Sequence, residues 1–163
     1  MRRFGFCVFL ILFIFSSCSK KIYRTEWPKD ASTIIAYCEL SVATSSFSFE
    51  GFISFNLNYP DFRAEILGPF GTTLLTLKGS RSYVTFGEEN EEFRDLLYFP
   101  IGEIIEDIWF AGEYLRQKEI LTLDKGSYRV TYDWSKKEPK ICWQNQSGYL
   151  CLNFLEIKKS QKT

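Results

Sequence analysis

The chain has no histidine among its 163 residues. That removes the side chain used most often as a general base near neutral pH and as a metal ligand. Neither sign of charge is in excess, with 20 basic residues against 20 acidic ones. A nucleic-acid-binding surface needs clustered lysine and arginine, so the composition gives it no support. No Cys-x-x-Cys occurs, so neither a zinc site nor a thiol redox motif is indicated. Gly-x-Ser-x-Gly, a phosphate-binding glycine loop and His-Glu-x-x-His are also missing. The acids Glu88, Glu89, Glu91 and Glu92 resemble a glycosidase pair only in number. They sit in a loop and helix start and read as solvated. The expectation is a protein that is not an enzyme and uses no cofactor or metal.

One long apolar run is present. It extends from Phe4 to Phe15, follows Arg2 and Arg3, and is interrupted only by Gly5. A membrane helix needs about 20 residues, so the run better suits the core of a secretory signal. Ser16 and Ser17 then precede Cys18. This stretch resembles the bacterial lipobox, with Phe15 where that pattern usually has leucine. The resemblance implies cleavage before Cys18, a diacylglyceride on its sulfur and an acylated amine. Each buried methylene adds about 0.8 kcal/mol, so two or three chains hold a protein at a membrane. An uncleaved signal-anchor and an ordinary secretory signal are the alternatives. Ser19, where aspartate would favour the inner membrane, points to the outer membrane, facing the periplasm. Loss of Arg2 and Arg3 leaves a slight acidic excess. Cys38, Cys142 and Cys151 then meet an oxidising compartment, where at least one thiol stays unpaired.

The remaining chain reads as one domain. Thr33 to Val42 reads as a strand, though the apolar cluster Ile34 to Cys38 also fits a helix end. Period-two alternation predicts a strand, or two, over Phe47 to Tyr59, with Gly51 as a bulge or bend. Asp61 to Leu67, Thr72 to Lys78 and Ser82 to Phe86 continue an antiparallel meander. The turn between the first two of these is Gly68-Pro69-Phe70-Gly71.

The period then changes. Asn90 caps a short helix with Phe93, Leu96 and Leu97 on one face. Pro100 stops it and starts another. In the second helix Ile101, Ile104, Ile105, Ile108 and Trp109 share a face, and Glu103, Glu106 and Asp107 take the other. Gly112 follows its end. Strands resume with Tyr128, Val130, Tyr132 and Trp134 on one side. Ile141 to Gln144 and Tyr149 to Ile157 form a final hairpin. A four-residue loop there puts Cys142 opposite Cys151, where a cross-strand disulfide fits. A two-residue loop at Ser147-Gly148 shifts the register and abolishes it.

The expected fold is mainly β (α+β): a curved antiparallel sheet forming an incomplete barrel, with a short helical lid inserted mid-chain. Each layer buries its apolar face on the other. The expected divisions are 1–17 signal peptide, 18–32 lipidated N-terminus and linker, 33–157 domain and 158–163 charged tail. Phe47, Phe49, Phe55, Ile105, Trp109, Tyr132 and Trp134 either line a ligand cavity or form a plain core. Arg63 either meets a lipid phosphate or is a solvated strand residue.

The order of lipobox, meander, "RAEILGPFGTTLLTL" at Arg63 to Leu77, "PIGEIIEDIWFAG" at Pro100 to Gly112 and "SYRVTYDW" at Ser127 to Trp134 resembles the LolA/LolB-like superfamily. The likeness covers roughly Glu39 to Ile157. It implies a hydrophobic cavity under a helical lid, with acylated lipoprotein or lipid as cargo. A periplasmic LolA-like carrier is the implied partner and a monomer the implied state. "GPFG" resembles the family's Asn-Pro-Leu-Gly turn, so Phe70 is the implied membrane-contact residue. The N-terminal helix of the family is short or missing here, and the aromatic content is higher. The alternative is an envelope-assembly lipoprotein with a filled core and a protein partner.

Overall fold

The computed structural model describes residue 27 and residues 33–87, 91–114 and 118–159. The expected signal, the lipobox-like stretch with Cys18 and the expected helix cap Asn90 lie outside the described residues. Nine strands form one open antiparallel sheet. In chain order they are β1 (Ile34–Thr44), β2 (Ser48–Asn58), β3 (Asp61–Leu67), β4 (Thr73–Ser80), β5 (Tyr83–Phe86), β6 (Ile120–Asp124), β7 (Arg129–Asp133), β8 (Lys140–Asn145) and β9 (Gly148–Lys159). Their order across the sheet is β5-β4-β3-β2-β1-β9-β8-β7-β6. Chain-adjacent strands pair as hairpins except β5 and β6, which form the two edges, and only the β1–β9 pairing joins distant segments. β1 and β9 therefore hold the two hairpin wings together.

β1 resolves the ambiguity of its apolar cluster. Ile34, Ala36, Cys38, Leu40 and Val42 are buried, and the residues between them are not. That is a strand with one face in the core. β2 is continuous rather than bulged at Gly51, which pairs with Leu40 in unbroken register. The Phe49 ring lies where a Gly51 side chain would be, with Cζ 2.5 Å from the ideal Cβ position. The irregularities lie elsewhere, at Tyr37/Cys38 and Ile66/Leu67. β9 extends beyond the expected domain end, since Lys158 and Lys159 pair with Ile35 and Ile34. β6 is a strand the apolar pattern did not announce. It is short, at the sheet edge, and exposes Ile120.

One α-helix and two 3-10 segments complete the described chain. The helix α1 spans Ile101–Tyr114. Pro100 precedes it and accepts from Ile104 N at 2.9 Å. Glu103 sits in the first turn, where the helix dipole favours an anion. Ile104, Ile105, Ile108 and Ala111 are buried against the sheet. Each isoleucine contributes roughly 1.5–3 kcal/mol by leaving water. The helix runs past Gly112 instead of ending before it. Gly102 lets its first turn approach the β4–β5 turn, where a Cβ would lie 2.2 Å from Arg81 O. Arg81 Nε also pairs with Glu106 Oε2 at 3.1 Å.

The segment before it, η2 (Glu91–Tyr98), winds as a 3-10 helix. Three residues per turn put Phe93, Leu96 and Phe99 in line, and these are buried. Leu97, expected on the same face, is instead 61% exposed. The smaller η1 (Pro69–Gly71) is the β3–β4 turn.

Candidate functional site

The buried face of the sheet and the apolar face of α1 do not fill the space between them completely. A gap of about 40 Å³ remains. Phe55, Phe62, Ile66, Ile105, Ile108 and Leu152 are among the side chains around it, and every lining residue is apolar. No polar group there can hold water, so the gap suits only hydrocarbon. Of the residues expected to line a cavity, Phe55 and Ile105 do so. The others form separate contacts. Phe47 and Phe49 grip Phe93 of η2 edge-on, with ring centres 5.8 and 5.2 Å away. Trp109 stacks on Tyr59 at the β2–β3 turn. Tyr132 and Trp134 stack on each other under the C-terminal part of α1.

Polar contacts fasten the helical segment at two places. At the strand ends, Asp95 Oδ2 accepts from Thr44 Oγ1 at 2.8 Å and Ser46 Oγ at 2.7 Å. Asn145 Nδ2 donates to Tyr98 O at 2.8 Å. Asn145 Oδ1 meanwhile accepts from Ser147 N and Gly148 N, shaping its own hairpin turn. The second fastening is inside. Asp107, expected on the solvated face of α1, is 3% exposed. Its Oδ2 accepts from Tyr128 Oη at 3.0 Å and Trp143 Nε1 at 2.9 Å. Lys125 Nζ lies 3.3 Å from its Oδ1. A buried carboxylate is tolerable because its charge is met by donors and a cation. Burial and the Asp107 charge push the Tyr128 and Tyr132 hydroxyls well above the ordinary tyrosine range.

Phe70 stands out at the β3–β4 turn. It is 104% exposed and has φ 68° and ψ 13°. A bulky residue in the left-handed region is strained, and nothing in the fold repays that through burial. Arg63, on β3, is exposed and pairs with Glu65 at 2.7 Å.

The Cys142 and Cys151 sulfurs are bonded, with Cα atoms 4.1 Å apart. The hairpin loop is neither alternative as stated. Asn145 pairs with Gly148, so the turn is Gln146-Ser147, and the register is the one a four-residue loop also gives. The disulfide lies on the face opposite α1, since its neighbours Trp143, Leu150 and Leu152 point inward. Cys38 remains a free, buried thiol whose pKa burial raises.

Roomier depressions occur on that outer face. One of about 660 Å³ is bordered by Glu39, Glu50, Lys136, Glu138, Lys140 and Asn153. Its mixed charges select no single class of ion. Among the described residues no His/Cys/Asp/Glu cluster is arranged for a metal ion. Nor is any described helix long and apolar enough to cross a membrane. No protein-family model matches the chain, and comparison with curated proteins finds no match either.

Proposed function

We propose that this chain is an outer-membrane-anchored, periplasm-facing lipoprotein that accepts acyl chains between its helix and its sheet, a LolB-like localisation factor. In this reading the sheet is an incomplete barrel and α1 its lid. The observation that carries it is the lining of the gap, which is hydrocarbon on every side. Acyl chains entering there gain about 25 cal/mol for each Å² removed from water. The 40 Å³ present is close to the volume of a single water molecule, so α1 must lift for cargo to enter. The contacts at Asp95 and Asn145 are where η2 lets go, while Asp107 keeps the middle of α1 on the sheet. The lipidated Cys18 tethers the acceptor to its membrane and raises its effective concentration there. Phe70 touches the bilayer as cargo leaves. A LolA-like carrier supplies acylated lipoprotein.

A nearly filled interior and the exposed Ile120 on edge strand β6 favour a second reading. In it the chain is an envelope-assembly lipoprotein that binds a protein partner and carries no lipid. Native mass spectrometry of the full chain released from membranes separates the two. Acyl cargo on the wild type, absent from Ile105→Glu, supports acceptance of acyl chains. A wild type that stays cargo-free with acylated peptide present, and retains an envelope protein, supports the second reading.

A further inference from the structure

Trp27 is buried to 3% exposure although it lies in the stretch expected to be a linker. Its ring meets Trp134 edge-on at 5.4 Å and Phe154 at 4.9 Å. Phe154 in turn touches Phe55, which lines the apolar gap, at 6.0 Å. The indole therefore sits at one end of the same interior. α1 accommodates it only because residue 112 is glycine, where a Cβ would lie 2.8 Å from Trp27 Cδ1. Both indoles of the pair have a defect in common. Trp27 Nε1 and Trp134 Nε1 are buried donors with no acceptor. Buried N–H groups are nearly always paired, so two orphans in one contact mark a poor fit between occupant and slot.

We propose that this slot is a ligand subsite, with Trp27 as its resident occupant, and that it takes the ester or amide end of an acyl chain. This rests on the acyl-accepting reading above and adds where the polar end of the cargo sits. A ligand carbonyl in place of Trp27 accepts from Trp134 Nε1. The displaced Trp27 N–H finds water. Both orphans are thereby satisfied, and the hydrocarbon tail replaces the apolar contacts of the indole along Phe154 and Phe55. The occupant precedes β1, and none of the nine described strands contains it.

The test uses the full-length chain in vesicles of phosphatidylethanolamine and phosphatidylglycerol. Two photoreactive probes are compared: N-palmitoylglycine with a diazirine on its acyl chain, and a diazirine-bearing hexadecane without a carbonyl. Adducts are located by mass spectrometry. Trp27→Ala should raise labelling around Trp134 and Phe154 by about tenfold, as expected when an internal competitor no longer limits the binding-competent fraction. Gly112→Ala should do the same with the tryptophan retained, and alanine is the better helix former, so loss of fold does not explain the gain. Added to Trp27→Ala, Trp134→Phe should cut N-palmitoylglycine labelling about tenfold, the worth of one buried hydrogen bond, and spare the hexadecane probe. Labelling confined to Phe55 and its neighbours, unchanged by Trp27→Ala and Gly112→Ala, overturns the subsite and leaves acyl acceptance standing. No interior labelling in any variant overturns both.

Discussion

The Trp143 indole on β8 donates to Asp107 on α1 at 2.9 Å, a link between residues 36 apart in the chain. Tyr128, just before β7, donates to the same carboxylate oxygen. These bonds pin the middle of the helix to one wing of the sheet. Asp107→Ala strands a buried indole N–H and a buried phenol, each worth about 1–3 kcal/mol when unpaired. We expect a loss of about 3 kcal/mol in urea unfolding. Lys125 is 37% exposed and stays solvated on its own, so Lys125→Met should cost under about 1 kcal/mol. Equal losses for the two variants would show that the ion pair, not the neutral donors, holds the helix.

The proposed membrane contact of Phe70 can be measured apart from stability. Glycine relaxes its positive φ at some entropic cost, so Phe70→Gly should leave stability within about 1 kcal/mol of the wild type. Removal of the exposed ring should still weaken partition into vesicles by about tenfold, since a phenyl group gains roughly 1.5–3 kcal/mol on leaving water. The measurement is vesicle flotation of the full chain carrying Cys18→Ala, which lacks the acyl anchor. Unchanged flotation would remove Phe70 from the membrane surface.

The Cys142–Cys151 bond closes a short loop between adjacent strands on the outer face. Loop-closure entropy predicts that Cys142→Ser with Cys151→Ser costs about 2–3 kcal/mol. Because the sulfurs lie away from the gap, binding of an acyl probe should not change. Cys38 supplies the readout. It is buried, so a maleimide should reach it only when the sheet opens, and labelling should speed up in the double variant.

What was legible in the sequence was what a simple period encodes. Alternation in Phe49 to Leu57 and Tyr128 to Trp134 placed those strands and their inward faces correctly. Isoleucine spacing located α1. The misses have physical reasons. Asp107 looks like a surface acid because its partners, Lys125 and Tyr128 of the β6–β7 connection and Trp143 of β8, arrive 18 to 36 residues later. Phe93, Leu96 and Leu97 carry the spacing of a 3.6-residue turn, but the chain winds as a 3-10 helix that lines up Phe93, Leu96 and Phe99 and turns Leu97 outward, with Phe93 packed on Phe47 and Phe49. Trp27 stands in a largely polar stretch where the only other large apolar residues, Ile22 and Tyr23, are too few to set a period. The size of the gap depends on how side chains interlock across layers, which no local pattern records.

The tyrosines around Asp107 set an alkaline limit. Burial, and then the Asp107 charge, hold the Tyr128 and Tyr132 hydroxyls protonated far above the usual value of 10.0. In the unfolded chain both ionise near pH 10. Above that pH the unfolded state has lost protons that the folded state keeps, so stability falls as pH rises. The contribution is complete below about pH 10 and declines through the alkaline range at up to about 1.4 kcal/mol per pH unit for each tyrosine. Tyr128→Phe should remove one share of that slope while costing a hydrogen bond at neutral pH. Urea midpoints between pH 8 and 11 would show it as curves that converge with rising pH. Parallel curves for wild type and variant would mean that Tyr128 ionises freely in the folded protein, and that the carboxylate beneath the helix is not closed to solvent.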